Sequence, residues 1–219
     1  AMACRVRPFE MRDREAVRRI CCETGFMGDP VDPVFEDREV FADFFTRYYT
    51  DFEPEHCLVA EEDGRILGYL IACTRYRRYP WIQAGIVARR LPRVLGRWIA
   101  RRYGPSSRRF LRWFAFRSAA QTPRAPGRAA HFHINLLPEG RNGRASRRLI
   151  FGFLRRLRAW GVRRVYGQIQ IYDDRRPLQV FERYGFRLYD RREVTKFKAF
   201  GKAGVHVATF VHEVDQASS

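Results

Sequence analysis

Residues 131–150 read HFHINLLPEGRNGRASRRLI, and the rhythm of the apolar positions changes near Pro138. Before it, apolar side chains alternate with His131, His133 and Asn135, the two-residue repeat of a strand. After a loop containing Gly140 and Gly143, apolar residues return at Leu149, Ile150, Phe153, Leu154, Leu157 and Trp160, the spacing of a helix that Gly161 ends. A strand that enters a helix through such a loop aims the helix's unpaired backbone N–H groups at one point, which suits a phosphate. Arg141 and Arg144 add positive charge there.

Working outward, VRRVYGQIQIY reads as the next strand and RPLQVFERYGF as a short helix stopped by Gly185. Two further β-rich runs, FRLYDRREVTKF and VHVATFVHEV, flank the turn FGKAG. Upstream, CRVRPF reads as a short strand and REAVRRICCETGF as a helix with Val17, Ile20 and Cys21 on one face. DREVFADFFTRYY is a second helix, with Asp37 near its start where the helix dipole favours an anion. CLVAEEDGRILGYLIACTRY is a strand pair turning at Asp63-Gly64. The order predicts an α/β fold, a mixed sheet with helices on both faces, formed by residues 1–219 as one domain.

The stretch from about residue 80 to 127 falls outside that scheme and reads as a helical insertion between the third and fourth strands. Ile86, Val87, Leu91, Val94, Leu95, Trp98, Ile99 and Tyr103 are expected on one face, with Arg89, Arg90, Arg93, Arg97 and Arg101 on the rest. A second run, RRFLRWFAFR, adds Phe110, Leu111, Trp113, Phe114 and Phe116. Three roles are open: a lid over an acceptor pocket, a basic amphipathic element for nucleic acid or an anionic membrane, or an elaboration packed on the sheet or on the second subunit of a homodimer. The packed or lid role is the expectation, because an aromatic stripe at helical spacing is more often core than contact surface.

The 219 residues, 46% hydrophobic, can bury a sizeable core. The formal charge of +18 comes almost entirely from arginine, whose planar fork grips phosphate and carboxylate. No apolar run approaches the ~20 residues of a membrane span, and AMACRVRPFE lacks the apolar core of a signal peptide. Five cysteines without a C-x-x-C pair argue against a disulfide framework and a zinc site, so a reducing cytoplasm is the expected home. No H-E-x-x-H, P-loop or G-x-S-x-G motif occurs, and no metal is expected.

Taken together, LLPEGRNGRASRRLIFGFLRRLRAWG and DDRRPLQVFERYGF resemble the two signature blocks of the GNAT superfamily of N-acetyltransferases, and EEDGRILGYLIA is similar to its usual second hairpin. Outside the insertion the resemblance covers nearly the whole chain in order. It implies acetyl-CoA as cosubstrate and direct attack by the primary amine of a small-molecule or peptide acceptor in a ternary complex. The same resemblance places the cofactor against Leu136 and Leu137, the loop residues Arg141, Asn142, Gly143, Arg144, Ala145 and Ser146, and Asp174 and Phe181. Two alignments of the loop pattern R/Q-x-x-G-x-G/A are open. Matching Gly143-Arg144-Ala145 puts Gly140 at the Arg/Gln position, whereas starting at Arg141 puts Arg144 and Ser146 at small-residue positions. Phe181 stands where the family often carries a proton-donating tyrosine, leaving Tyr172, Tyr184 or water to protonate the thiolate.

Acetyl transfer requires a neutral amine, a polarised carbonyl and a proton for the departing sulfur. His131, His133 and Asn135 project together from their strand, and His133 is the first choice for the base because histidine titrates near neutrality. The alternative is that these histidines hydrogen-bond within the fold. A rival from another class is a GNAT-like chain without catalysis, acting as a basic module for nucleic acid or an anionic membrane surface.

Overall fold

Asp63 and Gly64 take φ of 49° and 75°, the left-handed geometry of a tight hairpin turn. The turn joins β2 (Leu58–Glu62) to β3 (Arg65–Cys73). The computed structural model describes residues 4–141, 143–171, 177–202 and 204–214. β1 (Arg5–Pro8), α1 (Arg14–Glu23) and α2 (Arg38–Phe52) precede that hairpin. After it come α3 (Tyr79–Ile99), α4 (Pro105–Phe116), α5 (Ser118–Gln121), β4 (Ala130–Leu136), α6 (Arg144–Leu157) and β5 (Arg164–Ile171). The chain continues through α7 (Pro177–Glu182), β6 (Arg187–Glu193) and β7 (His206–Glu213).

Among the described residues seven strands form one sheet in the order β1-β2-β3-β4-β5-β7-β6, and only the β4–β5 pair is parallel. Alternation along β4 divides its side chains between two cores. Phe132 joins Leu149, Phe153 and Leu157 of α6 on one face, while α1 and α2 cover the other around Tyr49, Tyr69 and Ile71. Helices therefore lie on both faces, as the order of elements predicts.

β4 and β5 separate partway along. Their pairing runs Ala130↔Val165, His131↔Tyr166, Phe132↔Gly167 and stops, although β4 stays paired to β3 as far as Leu136↔Gly68. Gly167 sits beneath the Phe132 ring, where an added Cβ would come within 2.8 Å of the aromatic carbons.

The insertion packs against α2. Two buried acids hold it, Asp37 just before α2 and Asp43 within it: Asp37 receives Arg93 and the Tyr103 hydroxyl, and Asp43 receives Arg90 together with Arg18 of α1. The expected single stripe on α3 divides. Ile86 is buried and Val94 and Trp98 pack on the core, whereas Val87, Leu91, Leu95 and Ile99 are exposed, Ile99 by 77%. The apolar arc of α3 is wider than the strip α2 covers, so its flank faces solvent. Arg90, Arg93 and Arg97, expected on the solvated side, turn inward to the acids.

Candidate functional site

Where β4 leaves β5, the backbone of residues 133–136 has, among the described residues, no strand neighbour on that side. Beside this opening, α6 begins at Gly143, whose φ of 79° suits glycine. Among the described residues nothing lies within 4 Å of where a Cβ on Gly143 would be. An α-helix leaves the N–H groups of its first turn without intrahelical acceptors, and these point toward the space before the helix. The start of α6 carries Arg144, exposed, and Ala145, buried in the core, and the Ser146 hydroxyl donates to the Gly143 carbonyl at 3.3 Å.

Leu137 is less available than the sequence suggests. Its N–H donates to the Leu67 carbonyl at 2.8 Å and its carbonyl accepts from Gly140 N–H at 2.9 Å, because the chain turns a corner there. Leu136 sits on the open edge, its carbonyl accepting from Arg141 Nε at 3.1 Å. The same guanidinium donates to the Gly28 carbonyl, so Arg141 ties the loop after α1 to the end of β4 rather than extending into the space before α6. Phe181 lies in the core between Phe186 and Phe210. Asn142, Tyr172 and Asp174 lie outside the described residues.

A cavity of about 880 Å³ opens on the face of β4 that carries the histidines. Its walls come from β4, β5, α2 and, through Phe110, Trp113 and Phe114, the insertion. His131 is buried and bonded through Nε2 to the Tyr49 hydroxyl at 2.8 Å, with the Tyr79 ring edge-on at 4.6 Å. Asn135 Nδ2 donates to Thr24 Oγ1 at 2.5 Å, joining β4 to the end of α1. His133 lines the cavity with its ring against Tyr49, and among the described residues neither ring nitrogen has a hydrogen bond.

Burial pushes the His133 imidazole down to about 4, and burial together with neighbouring His133 pushes His131 to about 3. Both are neutral near pH 7. The titration near neutrality that the sequence leads one to expect is therefore displaced, because a charged imidazole would lie in a desolvated aromatic wall. Tyr184 packs edge-on against Phe151, ring centroids 5.3 Å apart, and does not line the cavity.

One residue of the cavity wall belongs to no motif in the sequence. Lys196, after β6, lines the cavity with its ammonium 5.1 Å from the Trp113 ring centroid and 4.7 Å from that of Phe197. A signal existed: only three lysines occur in the chain, Lys196, Lys198 and Lys202. Among the described residues no cluster of histidine, cysteine and carboxylate is arranged to hold a metal, and no helix is long and apolar enough to cross a membrane.

Solved structures share this architecture. The chain is 28% identical to SsHAT, with a TM-score of 0.63, over 98% of this chain and 100% of that one. It matches a GNAT-superfamily phosphinothricin acetyltransferase from Sinorhizobium meliloti, solved with acetyl-CoA, at 17% identity and TM-score 0.56, over 100% of this chain and 93% of that one. An N-acetyltransferase from Staphylococcus aureus Mu50 matches at 13% identity and TM-score 0.55, over 97% and 99% of the two chains. No family model and no curated protein matches the sequence. The chain has the fold of the GNAT-superfamily acetyltransferases.

Proposed function

We propose that this chain is an N-acetyltransferase that moves an acetyl group from acetyl-CoA to the primary amine of a small-molecule or peptide acceptor. The observation that carries the reading is the parting of β4 from β5 beside the start of α6, at the mouth of the cavity that His133 lines. Residues 1–219 are read as one domain with an insertion, supported by the continuous sheet.

Acetyl-CoA supplies an activated acyl group on a thioester. The β5-facing backbone edge of residues 133–136, which has no strand partner there among the described residues, suits its extended arm, and the first turn of α6 with Arg144 suits its phosphates. Arg141 holds the acceptor-side loop instead. The amine enters neutral from the cavity, attacks the carbonyl carbon within the ternary complex, and the carbon–sulfur bond breaks. His133 accepts a hydrogen bond from the incoming amine and passes its proton to water, a role open to a neutral imidazole. His131 and Asn135 position β4 through Tyr49 and Thr24. Water protonates the departing thiolate, with Tyr172 the side chain the sequence offers for that step.

The insertion acts as a packed wall of the acceptor pocket, since Phe110, Trp113 and Phe114 line it. Its arginines at 90, 93 and 97 are paired with Asp43 of α2 and with Asp37 just before it, which weighs against their serving as a nucleic-acid or membrane face. The experiment is a panel of amines with acetyl-CoA and a free-thiol readout, alongside calorimetry of acetyl-CoA. Binding in the micromolar range and thiol release with some amines are expected. Indifference to acetyl-CoA at millimolar concentration would overturn the reading.

A further inference from the structure

Lys196 is a cation placed where a chain rich in arginine has no need of one. Its ammonium stands over Trp113 and Phe197 at the cavity wall, and among the described residues it has neither an ion pair nor a hydrogen bond. Its two fellow lysines are exposed on the same segment, and Lys198 is paired with Glu193 at 2.8 Å. Burial lowers the Lys196 ammonium to about 8, the cost of a charge with aromatic neighbours and no counter-ion.

No aspartate or glutamate lines the cavity among the described residues. An acceptor with a second positive charge would meet Lys196 unscreened. A ligand bearing a negative charge would supply the missing counter-ion in a poorly hydrated place, where such a pair is worth more than at a surface. Near Lys196 the wall is largely aromatic, with Phe110, Trp113 and Phe114 from α4 and Phe41, Phe44 and Phe45 from α2, while uncharged polar side chains such as Gln121, Gln168 and Gln170 line other parts of it. The Phe44 and Phe114 rings meet edge-on with centroids 5.0 Å apart. A cavity of about 880 Å³ holds an aromatic amino acid with room for the acetyl group.

We propose that the acceptor is an aromatic primary amine carrying a carboxylate, with its carboxylate on Lys196, its ring among Phe110, Trp113 and Phe114, and its amine toward His133. The cavity's other described cation, Arg141, has its guanidinium on the carbonyls of Leu136 and Gly28, and the single ammonium of Lys196 matches a singly charged carboxylate better than a phosphate. This proposal rests on the acetyl-transfer reading.

Racemic N-acetyl-phenylalanine, which resembles the product, and its methyl ester are titrated into the full chain by calorimetry. The acid should bind about tenfold tighter than the ester, the order of one desolvated charge-assisted pair. Lys196→Met, which keeps an unbranched apolar stem, should erase the difference, and Lys196→Arg should keep most of it. Equal binding of acid and ester by the wild type, or a preference that survives in Lys196→Met, would overturn the proposal. The two readings fail separately. If the acid binds in this Lys196-dependent way but acetyl-CoA does not, acetyl transfer falls and the pocket assignment stands. If acetyl-CoA is consumed with amines irrespective of a carboxylate, transfer stands and the pocket assignment falls.

Discussion

Arg93 forks both oxygens of Asp37, with Nε 3.0 Å from Oδ2 and Nη2 3.0 Å from Oδ1, and so fastens the inserted helix to the first residue before α2. The carboxylate also caps α2 by accepting from Val40 N–H at 3.4 Å and takes the Tyr103 hydroxyl at 2.9 Å. One buried side chain thus serves a helix end and the attachment of the insertion.

Replacing Asp37 by alanine removes the cap and leaves Arg93 and Tyr103 without their acceptor. A loss of about 3 kcal/mol is expected from breaking a buried pair by one partner, read as a lower urea midpoint. Burial works to raise this carboxyl, and the hydrogen bonds from Arg93 and Tyr103 outweigh it, so its folded pKa lies below the usual value. A depressed carboxylate stabilises fully above its unfolded pKa of about 4 and loses that contribution as pH falls through the folded value. The wild type should lose more stability than Asp37→Ala as pH falls below about 4. Equal acid sensitivity in the two proteins would contradict this.

His133→Gln should lower turnover by about tenfold, the low end for a proton-handling side chain. It should leave the shape of the pH–rate profile above pH 6 unchanged, because the imidazole titrates near 4 and is already neutral there. The rise in rate with pH then belongs to the acceptor amine. Loss of an ionisation between about pH 6 and 8 in the variant would restore the ordinary histidine value.

Arg141→Ala should raise the acceptor KM with little effect on acetyl-CoA affinity, since its guanidinium holds the carbonyls of Gly28 and Leu136. Calorimetry with acetyl-CoA separates this from a phosphate-gripping role, which would cost cofactor binding first.

Gly143→Glu places an anion in the space before α6 at a left-handed position. Acetyl-CoA affinity should fall by tenfold or more, while the strain costs stability by about 1–2 kcal/mol. Unfolding midpoints measured beside the titration keep the two effects apart. Unaltered affinity would move the phosphate site away from this helix.

The sheet was legible because its signals are local. Alternation in β4, the Asp63-Gly64 turn and the stripe of α6 each need only neighbouring residues to be read. The division of α3 into covered and exposed halves was not, because the width of α2 beneath it is a tertiary fact. Arg141 illustrates the same limit: its position marks the loop, but the carbonyl of Gly28 that captures it is distant in the chain. The lowered values of His131 and His133 depend on a wall contributed by other elements, which no single strand announces. Lys196 could have been noticed by its rarity alone, although only the fold brings Trp113 to it.

All but three of the 42 basic side chains are arginine. A guanidinium stays protonated at every physiological pH and has no free lone pair for an acyl donor. The positive exterior therefore cannot be erased by stray acylation, as a lysine coat would be, and the chain can work amid reactive thioesters without becoming their target. Chemical acetylation of side-chain amines would be confined to the segment 196–202.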